Sequence, residues 1–365
     1  MEEYKFEAKV VDKLEKNGKK YVILDKTFFY PDGKGGQLGD RGKIGSANVL
    51  NVIEENGLIF HEVDQFPTEE TLLCAIDRER RLEISREHTA QHILSGAFVN
   101  LFNIETASFH MGEYYSTIDL ESQSLTNDTL NKAENLANSI VLEDRAVLKY
   151  TTTKDKIKDL NLRKISEVEE PIRIVEVENF DVSMCGGTHV DRTGEIGIIK
   201  WLKFENTKKE LTRLYFASGL RALKAFQNKN DIILNISNML TTGEDELIAR
   251  INKLVNENKD LSNKVRALDE QLADAYIEKF FKEETIVETL QNISRKSFER
   301  ISITLKNARK KGVIFLKQDD SYLVCLLSDV QFAEFIKTYD IQGVKFGIIK
   351  EGAVPNLVNA FKKEV

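Results

Sequence analysis

His88 and His92 stand four residues apart, with Thr89, Ala90 and Gln91 between them. In an α-helix that spacing stacks two imidazoles on one face, where both can reach a single metal ion. Far downstream, the run Cys185-Gly186-Gly187-Thr188-His189 offers a thiolate and a third imidazole. Its paired glycines favour a loop, which lets Cys185 and His189 fold back toward one point. One soft thiolate with three imidazoles is a donor set that Zn2+ accepts in tetrahedral geometry. Four protein ligands would close such a site, whereas a catalytic zinc keeps one position open. Two arrangements stay open: one of His88, His92, Cys185 and His189 yields to water, or the ion chiefly positions substrate and water. A zinc-protease helix would carry a glutamate after its first histidine as general base; this turn carries Gln91 and no glutamate. Asp181, four residues before Cys185, can orient a ligand imidazole, although aspartate is also an ordinary turn former.

These groups need a helix and a loop brought together by a larger frame. Ser85 suits the cap of the first helix and Glu87 its positive end, with Leu94, Phe98, Leu101 and Phe102 as an apolar stripe on the side away from the histidines. Residues 4 to about 80 read as β structure, with short apolar runs at 21–24, 47–50 and 72–76 between turn residues, and a small barrel is the natural packing. Within it, residues 27–42 carry five glycines, which lets backbone approach another backbone or a ligand closely. No Gly-Lys-Ser/Thr ending follows, so this is not a phosphate loop. From about 81 to 228 the pattern becomes α+β. An alternating segment at 114–120 precedes a helix with Leu130, Ala133, Leu136, Ala137 and Ile140 at helical spacing. Strands follow at 147–152, 172–178, 196–202 and 211–217, together reading as a sheet with helices on one face.

After Asn228 the chain turns helical and highly charged. Leu240, Leu247, Ile251, Leu254, Asn258, Leu261, Val265, Leu268, Leu272 and Ala275 fit a and d positions of consecutive heptads. A coiled-coil arm over 229–280 is expected, joining two copies as a homodimer with Asn258 fixing register, the alternative being a long helical hairpin packed against its own chain. Residues 281–365 read as a small α/β domain: a long helix, strands at 312–317, 322–327 and 344–349, and a final helix. The fold class is therefore α+β and multidomain.

A chain of 365 residues is long enough for two to four such units. No long apolar run and no signal-like start occurs, and Cys74, Cys185 and Cys325 lie far apart, which argues against a disulfide framework and suits the cytoplasm. Cys74 and Cys325 read as small core residues. The net charge of −7 gives no global attraction to nucleic acid, so phosphate contacts must be local. Lys149, Lys154, Lys156, Lys158, Arg163 and Lys164 form one candidate group, and Lys203, Lys208, Lys209 and Arg213 a second. His110 reads as a wall residue near the metal site, and His61 as a surface residue of the barrel.

The residues His-Thr-Ala-Gln-His, Ala-Ser-Phe-His-Met-Gly before 117–120, Cys-Gly-Gly-Thr-His-Val, and Thr-Gly-Glu-Ile-Gly at 193–197 resemble the editing region of alanyl-tRNA synthetase. The stretch 27–42 resembles the Gly-Gly-Gln loop of the barrel that precedes that region. Residues 1 to about 225 are similar to the free-standing AlaX-type proteins, of the longer kind with a C-terminal extension and without the ATP-using catalytic domain. The resemblance implies hydrolysis of the ester that joins a wrong amino acid, above all serine, to tRNA(Ala). It implies zinc at His88, His92, Cys185 and His189, Thr27 as a catalytic residue that faces the pocket, and substrate binding by Thr27, Gly35, Gly36, Gln37, Asp181, Gly186 and Gly187. A second activated site is a physical answer to the limited selectivity that binding alone achieves between small side chains. The reading from a different class is a non-catalytic tRNA-binding or assembly protein with a structural zinc.

Overall fold

The computed structural model describes residues 4–364 apart from 70, 165–168, 209 and 329–332. The chain forms two compact units, Met1–Leu234 and Asn235–Val365. The first opens with β1 (Lys5–Lys16), β2 (Lys19–Leu24), β3 (Gly42–Ile44), β4 (Ala47–Glu55), β5 (Leu58–Val63) and β6 (Thr71–Ile76), which close into a barrel in the order β1-β2-β5-β4-β3-β6. Period-two alternation drives the closure: Leu72, Cys74 and Ile76 of β6 point inward, beside Val22, Ile44, Val49 and Val52.

His61 is a correction to the expected surface position. It is fully buried, because inward-facing Val63 sets the phase of β5 and places His61 inside as well. Its Nδ1 lies 2.9 Å from the carbonyl of Val22, which only accepts, so Nδ1 carries the proton and Nε2 is left as an acceptor. The Thr27 hydroxyl, 2.9 Å away, supplies the proton to that acceptor.

Helix α1 (Arg78–Phe102) follows, then β7 (Thr106–Met111), β8 (Ser116–Leu120), α2 (Asn127–Leu142), β9 (Val147–Thr152), β10 (Ile172–Val177), β11 (Asp181–Met184), β12 (Ile199–Asn206), β13 (Thr212–Ser218) and α3 (Gly219–Leu240). Two sheets stand where one was expected, β11-β10-β9 and β12-β13-β8-β7. A single core draws on both sheets and both helices, through Val175 and Val177, Leu214 and Phe216, Ile93 and Phe98, and Ala133 and Ala137. This flanking explains why α1 is buried on nearly all sides from Ile84 to Phe98, histidine face included. Asp77, not Ser85, caps the helix by accepting from the Arg80 amide, which gives the chain two further turns before His88. Glu87 is likewise not an end residue; its buried carboxylate accepts from the Ser218 amide and hydroxyl at 2.8 and 2.6 Å. Leu101 falls outside the apolar stripe and is exposed.

The second unit holds α4 (Leu247–Phe281), β14 (Thr285–Leu290), α5 (Arg295–Asn307), β15 (Lys311–Gln318), β16 (Ser321–Leu326), β17 (Lys337–Ile341), β18 (Val344–Lys350) and α6 (Val354–Glu364). Its sheet runs β14-β15-β16-β18-β17, with β14 parallel to β15. Where one long helix was expected after 281, the β-branched run Thr285-Ile286-Val287 instead makes a strand. The expected heptad stripe also changes face along α4: Ile251, Leu261, Val265 and Leu268 are exposed, whereas Ala273 and Phe280 enter the core of the sheet domain and Ala275 does not. Among the described residues, no helix is long and apolar enough to cross a membrane.

The buried His61 ties barrel stability to pH. Burial lowers its pKa to about 4, against an ordinary value near 6.5. As pH falls from 6.5 toward 4, the unfolded chain takes up a proton that the folded one refuses, so stability present above pH 6.5 is lost across that window. About 2 kcal/mol of the loss between pH 7 and pH 5 belongs to this group. Urea unfolding at the two pH values is expected to show a smaller loss for His61→Gln than for wild type, and equal losses would exclude the assignment.

Candidate metal centre

His88 and His92 come from the central turns of α1, and Cys185 and His189 from the loop after β11. Their ligand atoms all lie within 4.8 Å of one another. Cys185 Sγ is 3.5 Å from His88 Nε2 and 3.3 Å from His189 Nε2. All three imidazoles are buried.

The outer side of each ring decides which nitrogen faces the centre. Gln37 Oε1 is 2.8 Å from His88 Nδ1 and also accepts from the Thr188 amide at 2.9 Å, so it must be the carbonyl oxygen and Nδ1 must carry a proton. Thr89 donates its hydroxyl to the Ser85 carbonyl at 2.8 Å, so it accepts from His189 Nδ1 at 3.1 Å. Asp181 accepts from His92 Nδ1 at 3.2 Å and is held in turn by Arg163 at 2.7 Å and the Ser183 hydroxyl at 2.8 Å. Every Nδ1 is therefore engaged outward, leaving every Nε2 to the centre. An acceptor behind each ring is the arrangement that fixes ligand imidazoles.

The electrostatics agree. Burial opposes a thiolate at Cys185, but the surrounding imidazoles, His88 foremost, outweigh it and hold the thiol well below its ordinary range. Burial lowers His88, and it lowers His189 to about 3. Burial also opposes a charged His92, yet its bonds to Asp181 and Cys185 prevail and raise it to about 9. Asp181 stays below the usual carboxylate range because His92 and Arg163 outweigh its burial. His92 would have to offer Nε2 as a lone pair to hold a metal ion, and with its pKa raised to about 9 that binding would weaken as pH falls. A thiolate and three Nε2 lone pairs, each backed by its own acceptor, fit a tetrahedral N/S-preferring ion.

Small residues make the approach possible. A Cβ on Gly187 would lie 2.2 Å from His88 Cε1, and one on Gly96 would lie 3.0 Å from the Phe180 ring that precedes Asp181. Arg173 donates to the Cys185 and Gly187 carbonyls at 2.9 and 2.6 Å, holding the loop from its far side. Phe109 stacks on His88 with ring centroids 5.3 Å apart. Tyr30, pushed up to about 12 by burial and then by the charge of Cys185, donates to the Lys34 carbonyl at 3.2 Å. Sequence patterns assigned no role to Thr89, Phe109 or Arg173, since each meets the centre through a partner distant in the chain.

The remaining candidates are distributed unevenly. Gln37 and Gly187 join the centre directly, and Asp181 lies behind His92. Gly35 and Gly36 sit on the same barrel loop, where a Cβ on Gly36 would come within 2.5 Å of the Phe109 carbonyl. Gly186 is exposed, and a Cβ there would meet nothing within 4 Å among the described residues. Thr27 is bonded to His61 within the barrel. Gln91 turns away and donates to Ser95 at 2.9 Å, and His110 lies exposed on β7. Of the cations, Lys149 pairs with Asp191, Arg163 with Asp181 and Arg213 with Asp119, whereas Lys203 lies over the Tyr215 ring. Lys209 lies outside the described residues.

The two loop glycines provide a controlled test. Gly187→Ala is expected to push His88 aside and weaken divalent-metal affinity by ~10-fold or more, while Gly186→Ala leaves it unchanged. Chelator competition on the two variants measures this, and equal affinities would show that Gly187 makes no room for the ring.

Comparison with known proteins places this centre. Residues 172–215, which include the Cys185–His189 loop, match the family model of the threonyl and alanyl tRNA synthetase second additional domain. Alanine--tRNA ligases of Methanopyrus kandleri and Thermofilum pendens are 32% and 34% identical, over 74% and 73% of this chain. The chain spans only 31% and 30% of those ligases. The alanyl-tRNA editing protein AlaX-L of Pyrococcus horikoshii is 32% identical over 94% of this chain and 86% of its own length. With near-complete coverage in both directions, this chain belongs to the AlaX-L family of alanyl-tRNA editing proteins.

Proposed function

We propose that this chain is a cytoplasmic trans-editing hydrolase that cleaves the ester of tRNA(Ala) mischarged with serine, using zinc held by His88, His92, Cys185 and His189. The observation that carries the reading is the convergence of three outward-anchored imidazoles and a thiolate in a chain of this family. We assign the chemistry to the barrel (1–80) and the editing domain (81–228), and we divide the remainder into a coiled-coil arm (229–280) and a small α/β domain (281–365). When bound, zinc supplies Lewis acidity to a water or an ester oxygen and a charge that can hold the terminal ribose. The chain's own residues do the rest: Asp181 and Thr89 fix ring orientation, Arg173 clamps the loop, and Phe109 covers the His88 ring.

Four protein donors also favour the competing reading, a closed structural zinc in a tRNA-binding protein. Deacylation of seryl-tRNA(Ala) separates the two. Hydrolysis that is lost on chelation and restored by zinc is expected, and an apo protein with full activity would remove zinc from the chemistry.

Thr27 is assigned to reading the serine hydroxyl. Its own proton is given to His61, so it can meet serine only as an acceptor, and alanine offers nothing to accept. Thr27→Val is expected to slow seryl-tRNA hydrolysis by ~10-fold to 100-fold, with little change toward alanyl-tRNA and none in zinc content. An unaltered ratio of the two rates would free Thr27 of that role.

The exposed Ile251, Leu261, Val265 and Leu268 of α4 support self-association as a homodimer. Light scattering is expected to give twice the chain mass, and a monomer at micromolar concentration would exclude it.

A further inference from the structure

We infer that Gln37 is a positioning residue for the metal centre, holding His88 and the Cys185–His189 loop in binding geometry from the barrel side. The inference rests on the zinc reading above and gives the amide a task other than touching substrate.

Gln37 is 1% exposed, so its amide must be served by the protein around it. One oxygen, Oε1, accepts from His88 Nδ1 at 2.8 Å and from the Thr188 amide at 2.9 Å, partners 51 and 151 residues away in the chain. The second bond fixes the amide's orientation, because a main-chain N–H can only donate. The first then fixes His88 with its proton on Nδ1 and its lone pair on Nε2, toward Cys185. At the other end of the amide, Nε2 is buried and meets no partner among the described residues.

The surroundings are shaped to this contact. Gly36, with a positive φ of 76°, brings the barrel loop so close to β7 that a Cβ would meet the Phe109 carbonyl at 2.5 Å. A Cβ on Gly187 would fall 2.8 Å from Gln37 Oε1. The three acceptors also differ in kind: His92 has a carboxylate and His189 a hydroxyl, while His88 has a neutral amide reaching from another layer of the fold. A hydrophobic replacement would leave the His88 N–H and the Thr188 N–H unpaired together, whereas a glutamate could accept from both.

Zinc affinity of the full chain by chelator competition tests this without reference to activity. Gln37→Leu is expected to bind zinc ~10-fold to 100-fold more weakly than wild type, and Gln37→Glu at least as tightly as wild type. Rescue by glutamate separates positioning from a general loss of packing, which would weaken both variants alike and overturn the inference. Should Gln37→Leu fail to fold, Gln37→Asn, one methylene short of both partners, carries the same expected loss. Wild-type affinity in either shortened or apolar variant overturns the inference and leaves the zinc reading standing. A wild-type chain that takes up no zinc removes both.

Discussion

The constraint on which this structure depends is that three imidazoles must present the same nitrogen to one point. A free imidazole exchanges its proton between two nitrogens and rotates, so a metal centre built from bare histidines would have to order them on binding. Here the ordering precedes the metal, because a carboxylate, a hydroxyl and an amide oxygen each occupy an Nδ1 proton. The acceptors cannot all come from one element. Thr89 belongs to α1, Asp181 to β11 and Gln37 to the barrel loop, so barrel, helix and sheet must dock before the centre exists.

That requirement accounts for features with no other evident purpose. Helix α1 is buried on nearly all sides, which places His88 and His92 between the sheets and away from solvent. Glycines stand where elements come closest: Gly96 beneath Phe180, Gly36 against β7 and Gly187 against His88. Arg163 and Ser183 add a further layer by holding Asp181 in its turn. The net charge of −7 stays compatible with a tRNA substrate because recognition of an ester at the end of an RNA needs a local site more than a global field.

Much of the donor set was legible in the sequence, since His88 and His92 are neighbours on a helix turn and Cys185 and His189 share one short loop. Asp181 could be guessed as an orienting group from its proximity to Cys185. The part played by Gln37 could not, because its partners lie far along the chain and nothing local distinguishes a loop amide that touches substrate from one that holds a ring. His61 misled for another reason: a polar residue that closes the apolar run Leu58-Ile59-Phe60 reads as exposed, and the alternation that places Val63 inward places His61 inward as well. The helix start misled because Ser85 is a good cap but Asp77 is an earlier one. The second unit was read least well. β14 and β17 are short runs with mixed polarity, and the heptad pattern of α4 continues past the point where Ala273 and Phe280 turn the helix toward its own sheet.

The centre itself is most directly tested by X-ray absorption at the zinc edge of the loaded, full-length protein. The account predicts a first shell containing one sulfur and imidazole nitrogens from His88, His92 and His189, with the sulfur lost in Cys185→Ser. A shell of oxygen ligands without sulfur, or a spectrum that Cys185→Ser leaves unchanged, would contradict it.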